Sequence, residues 1–78
     1  IGFGDKDKAN ELLKKALALN PDGIDPNYFY GDFLLKEKKT AEGKRYLEKA
    51  LNAAPRPGRE IADRGRHNDI KKALESIE

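Results

Sequence analysis

The stretch IDPNYFYGDFLLKEKKTAEGKRYLEKALNAAP, Ile24–Pro55, decides the fold, because its second half repeats what precedes it. Leu13, Lys15, Ala16, Leu17 and Pro21 recur 34 residues later as Leu47, Lys49, Ala50, Leu51 and Pro55. An internal period between roughly 20 and 50 residues marks a stack of repeated helical or strand units. Here the units are helical. Gly43, Tyr46, Leu47, Ala50 and Leu51 stand at i, i+3, i+4, i+7 and i+8, the spacing that puts apolar side chains on one face of a helix. Ala9, Leu12, Leu13, Ala16 and Leu17 have the same spacing one period earlier.

Working outward, the segment around Tyr28, Phe29, Tyr30, Phe33, Leu34 and Leu35 predicts a helix that is apolar around much of its circumference. Asp25 is read as its N-cap and Pro26 as its first helical residue, where a missing N–H costs nothing. Gly31 in its middle gives up about 1 kcal/mol of helix propensity, which a closely approaching neighbour helix would offset. Glu37-Lys38-Lys39 is a turn, Thr40 caps the next helix, and two prolines around Arg56 end it. In the tail, Ile61 and Ala62 precede Ile70, Ala73, Leu74 and Ile77, and Gly65 is expected to split the segment into a short and a longer helix. At the other end, Asn20-Pro21-Asp22-Gly23 stops the first helix, and Gly4-Asp5 starts it.

At these residues the chain resembles the tetratricopeptide repeat family. Tyr30-Gly31 followed by Leu34 is similar to the large-small-large signature of the repeat's first helix. Gly43, Leu47, Ala50 and Pro55 are similar to the small, bulky, small and terminating residues of its second helix, and Ala9, Leu13, Ala16 and Pro21 repeat them. The match covers roughly residues 3 to 57. It departs from the family at Gly43, where Ala is commoner, and at Asn27, where a bulky residue is preferred. The segment from Arg56 to Arg66 is similar to tails of bacterial members. The resemblance implies an all-α antiparallel helix-turn-helix repeat stack in one domain. Residues 1–21 would be the second helix of a truncated repeat, 24–57 a complete repeat and 58–78 a C-terminal cap with a polar outer face. It also implies a non-catalytic scaffold that holds a protein or peptide in a groove lined by first helices. The groove-facing positions would be Asp25, Tyr28, Asp32, Leu35 and Lys36. Members that clamp an acidic chaperone tail use Lys and Asn where this chain has Tyr28 and Asp32, so a basic or amphipathic segment suits the surface better.

The chain has 78 residues, 38% of them charged and 37% hydrophobic, which suits one small domain of amphipathic helices. A net charge of +2 argues for neither a nucleic-acid nor a membrane partner, and there is no cysteine for a disulfide framework. Nothing in the sequence resembles a signal peptide, and the cytoplasm is the expected compartment. With no initiator Met, the chain reads as an excised piece whose first residues end a preceding element.

Chemistry of sites is thin. Asp63 and His67, spaced i, i+4, are short of the three or four ligands a metal needs. Ser76 and His67 have no partner that would make a nucleophile, so no catalysis, metal or cofactor is expected. Gly2-Phe3-Gly4 is too short for a phosphate loop. Lys36, Lys38, Lys39, Lys44, Arg45, Lys49 and Arg56 outnumber the acids near them, which makes nucleic-acid binding through the third helix a lesser alternative to a solvated face. Tyr30, Phe33 and Leu34 are expected in the core. Tyr28 and Phe29 are expected to supply exposed surface, with Tyr28 the functional one. A further alternative is a homo-oligomer, formed by pairing of the Leu12, Leu13, Ala16, Leu17 helix with a second copy.

Overall fold

A computed structural model of the protein describes residues 6–54 and 56–77; the readings made of residues 1–5 and of Pro55 lie outside them. The described residues form four helices: α1 (Lys6–Leu19), α2 (Ile24–Lys36), α3 (Thr40–Leu51) and α4 (Glu60–Glu75). α2 is the hub, packed against α1, α3 and α4, and α3 also packs against α4. The all-α, antiparallel helix-turn-helix stack read from the sequence is what the chain forms.

The α2–α3 hairpin is built on two glycines. A Cβ placed on Gly31 would lie 2.9 Å from Leu47 Cγ and 3.0 Å from the Gly43 carbonyl oxygen. One placed on Gly43 would lie 2.9 Å from the Gly31 carbonyl oxygen and 2.9 Å from Leu35 Cδ2. The helices therefore touch backbone to backbone, and Gly31 has the neighbour its position predicts. The same contact explains Gly43, at a position where the resembled family more often has Ala: with the Gly31 carbonyl oxygen opposite, there is no room for a methyl group. Around this contact Ile24, Leu47, Ala50 and Ile70 form the buried core, with Leu34 and Tyr30 buried beside it. Tyr30 meets Tyr46 edge-on at 4.8 Å between ring centroids and stacks on Phe33 at 6.3 Å.

The connections differ in detail from the sequence reading. α2 begins at Ile24, its N-cap is Gly23, and no side chain caps it; Asp25 is thus inside the helix rather than its cap. The start moves forward because Ile24 is drawn into the core at 1% exposure. Pro26 becomes the third helical residue, still among the first four whose N–H groups have no intrahelical acceptor. α3 likewise has Lys39 as its N-cap, with Thr40 the first helical residue. Between them, Lys38 takes a left-handed conformation (φ 61°) while its N–H donates to Leu35 O and that of Lys39 to Leu34 O, the paired closure that ends many helices. After α3, Arg56-Pro57-Gly58-Arg59 makes a type II turn, with Gly58 at φ 76° and the Arg59 N–H donating to Arg56 O.

Gly65 does not split the tail: Glu60–Glu75 is one helix. The glycine costs about 1 kcal/mol, whereas burying Ile70 completely stabilises by roughly 1.5–3 kcal/mol. With Asp63 buried on one side of Gly65 and Ile70 on the other, a break would lose more than the glycine does.

These glycines give a prediction with opposite signs. Gly43→Ala forces a methyl into the Gly31 backbone, and overpacking of about 1–3 kcal/mol exceeds the ~1 kcal/mol of helix propensity gained. A fall in Tm of several degrees is expected from a net loss of about 1 kcal/mol. Gly65→Ala meets nothing within 4 Å and should raise Tm by a similar amount. Thermal unfolding followed by circular dichroism checks both.

Candidate interaction surface

Two buried polar side chains tie the helix starts to the loops before them. Asn27 has no exposed surface, and its Nδ2 donates to Pro21 O at 3.0 Å and Gly23 O at 2.8 Å. A bulky apolar residue there could pack but could not hold the two carbonyls of the α1–α2 turn. Asp63 is the counterpart on α4. Its carboxylate accepts the Arg56 backbone N–H at 2.9 Å, the Arg56 Nε–H at 2.9 Å and an Nη2–H of the same guanidinium. Each residue is the fourth of its helix, and they stand 36 residues apart. Leu34 and Ile70, both buried, are separated by the same interval. α4 thus reuses the plan of α2 after a longer loop, residues 52–59 against 20–23, with a carboxylate replacing a carboxamide.

From Arg56 the charges continue across the surface. Arg56 Nη1 lies 4.0 Å from Asp25 Oδ2, Arg66 Nε donates to Asp25 Oδ1 at 3.0 Å, and Arg66 Nη1 is 3.5 Å from Asp69 Oδ2. The Arg66 guanidinium carbon is 4.9 Å from the ring centres of both Tyr28 and Phe29, whose own centres are 5.4 Å apart. Acid and base alternate from α4 through the loop to α2 and back to α4. The Arg56 side chain and backbone hydrogen bonds hold the Asp63 carboxyl below the ordinary carboxylate range, against the opposing effect of its burial.

The five positions read as groove-facing separate into two stripes. Asp25, Asp32 and Lys36 share one stripe with Phe29, at i, i+7, i+11 and i+4. Asp32 and Lys36 there pair with each other at 3.0 Å, and Asp32 raises the Lys36 pKa through that hydrogen bond. Tyr28 and Leu35 belong instead to the stripe of Ile24 and Gly31. Both are half-buried against the core, and Leu35 sits in the α2–α3 contact beside Gly43. The exposed aromatic on α2 is therefore Phe29, at 44% exposure, and not Tyr28. Helical spacing alone signals this, since Phe29 stands four residues after Asp25 and three before Asp32. Arg66 carries no such signal, lying 41 residues from its acceptor.

This face presents carboxylates, guanidinium groups and aromatic rings. Among the described residues no group of three or more His, Cys, Asp or Glu could hold a metal, and no helix is long and apolar enough to cross a membrane. Asp63 and His67 share a helical face, but both Asp63 oxygens are engaged by Arg56.

Acid should reveal the Asp63 tie. Its pKa is depressed on folding, so the stability it contributes is present above the ordinary value of 3.8 and is lost as pH falls from there through the folded value. Asp63→Asn should lower Tm at neutral pH and flatten the acid limb below about pH 4. A pH series of melting curves for the two proteins checks this; parallel acid limbs would contradict it.

No curated protein and no solved structure matches the chain. The sequence model of the tetratricopeptide repeat matches residues 1–63. With that match over most of its length, a 34-residue period and paired antiparallel helices, the chain belongs to the tetratricopeptide repeat family.

Proposed function

We propose that the protein is a non-catalytic interaction module that receives a basic or amphipathic protein segment on the face of α2 turned away from α3. Tetratricopeptide repeats generally mediate protein–protein interaction. The observation that carries the site is Phe29. It is a large aromatic ring left 44% exposed between the carboxylates of Asp25 and Asp32 on a helix whose other aromatics are half-buried or buried. An aromatic anchor with charged neighbours is the composition of an interface centre, the ring supplying area and the charges selecting the partner. The mechanism is passive: a preformed helical surface buries part of a partner, and no bond is made or broken.

The test is a selection of peptides from a random library against the whole chain. Recovered binders should be enriched in basic residues. Phe29→Ala and Asp32→Lys should each weaken them about tenfold or more, as loss of an interface anchor does. Lys44→Glu, on the exposed face of α3, should leave them unchanged. Binders indifferent to Phe29 and Asp32 would place recognition elsewhere.

A second reading, self-association, rests on α1. That helix buries no residue completely, and it leaves Leu12 at 47% and Leu19 at 88% exposure beside the half-buried Leu13 and Leu17. Pairing through this flank would raise the light-scattering mass above one chain as concentration rises, and the double variant Leu12→Glu, Leu19→Glu should return it to one chain. A single-chain mass at all concentrations removes this reading.

A further inference from the structure

Arg66 occupies the surface proposed for a partner. Its guanidinium donates from Nε to Asp25, approaches Asp69, and spans the neighbouring rings of Tyr28 and Phe29 at 4.9 Å from each. A planar, delocalised cation can lie over aromatic faces while keeping in-plane N–H groups for a carboxylate; a compact ammonium cannot do both. Two carboxylates and two rings therefore converge on one chemical group. We propose that Asp25, Tyr28, Phe29 and Asp69 form a guanidinium cradle for an arginine of the docking partner, and that Arg66 is its resident competitor in the unbound protein. The inference rests on the docking reading above and adds the residue type that the surface selects.

Displacement of Arg66 is built into its surroundings. Its side chain is 28% exposed and that of Asp25 36%, so the pair sits at the solvent boundary, where ion pairs and cation–ring contacts are individually weak. α4 does not depend on it for docking. Ile70 in the core and Asp63 in its Arg56 hydrogen bonds anchor the helix on either side. An Arg66 that leaves the cradle turns its guanidinium to water, which replaces the lost surface contacts at little cost. Asp25 then offers the incoming arginine a carboxylate that Arg56 approaches no closer than 4.0 Å. Charge complementarity selects the occupant: the group lying over the Tyr28 and Phe29 rings is a cation held by the carboxylates of Asp25 and Asp69.

The test compares tetra-arginine amide with tetra-lysine amide at equal ionic strength, using the full chain and its Arg66→Ala variant, with binding followed by calorimetry. Equal charge on the two probes cancels general attraction, so the ratio of affinities reads the cradle. In Arg66→Ala, the arginine probe should bind about fivefold or more tightly than the lysine probe, the scale of one good cation–ring contact. The wild type should show a smaller ratio, and adding Phe29→Ala to Arg66→Ala should bring it to one. An equal ratio in wild type and variant, or a preference that survives Phe29→Ala, overturns the proposal. Arg66→Gln, measured in parallel, guards against loss of structure. If both variants lose their helical circular dichroism, Arg66 is a staple of the fold and the proposal fails. Library peptides that require Phe29 and Asp32 but tolerate arginine-to-lysine exchange would overturn this inference alone and leave the docking reading standing.

Discussion

The contact of Gly31 with Gly43 is the constraint on which the other features depend. Two helices that meet backbone to backbone leave no volume for a side chain between them, so their larger residues must fill the flanks. Leu47 and Ala50 close one side with Ile24, while Tyr30 and Tyr46 close another. This close approach also orients α2. With Gly31 and Leu35 turned to α3, the helical repeat of 3.6 residues turns Phe29 to the opposite side. The exposed ring and the interhelical contact are thus two consequences of one rotation.

A second constraint is the treatment of buried polarity. A small domain with little core must keep its loops from fraying, and here the loops before α2 and α4 are held by one enclosed side chain each. Asn27 supplies donors to the carbonyls of Pro21 and Gly23, and Asp63 supplies acceptors to Arg56. The different chemistry follows from what each loop presents. An amide can satisfy free carbonyls, whereas a carboxylate suits a free N–H accompanied by a guanidinium. Enclosing an unpaired charge is costly, so Asp63 and Arg56 act as a unit. Through Asp25 that unit continues to Arg66, and the packing of α4 is thereby joined to the surface of α2.

Much of the architecture was legible in local pattern. The recurrence of Leu13 as Leu47 and of Pro21 as Pro55, the spacing of Gly43, Tyr46, Leu47 and Ala50, and the glycine at 31 all announce stacked helices. Errors came where a local rule met a tertiary demand. Asp25 and Thr40 are good capping residues, yet Ile24 is pulled into the core and α2 starts before Asp25. Gly65 is a good breaker, yet Asp63 and Ile70 are both anchored and the helix runs through it. The candidate surface was half legible. Asp25, Asp32 and Lys36 stand on the exposed stripe, but Tyr28 and Leu35 lie on the neighbouring one, and the spacing of Phe29 to Asp25 and Asp32 was the clue that separates them.

The sequence by itself determined the helical class, the period, the glycine at the helix contact and the charged character of the outer faces. These follow from interactions between residues close along the chain, or from a repeat visible without any coordinates. Only the tertiary structure decided which aromatic ring stays exposed, that Asn27 and Asp63 play matching roles, and that Arg66 lies across Tyr28 and Phe29 to reach Asp25. Those facts depend on the rotation of each helix about its axis and on pairs such as Asp25 and Arg66, 41 residues apart. Local periodicity restricts such a rotation only loosely. It becomes definite when two backbones meet at Gly31 and Gly43.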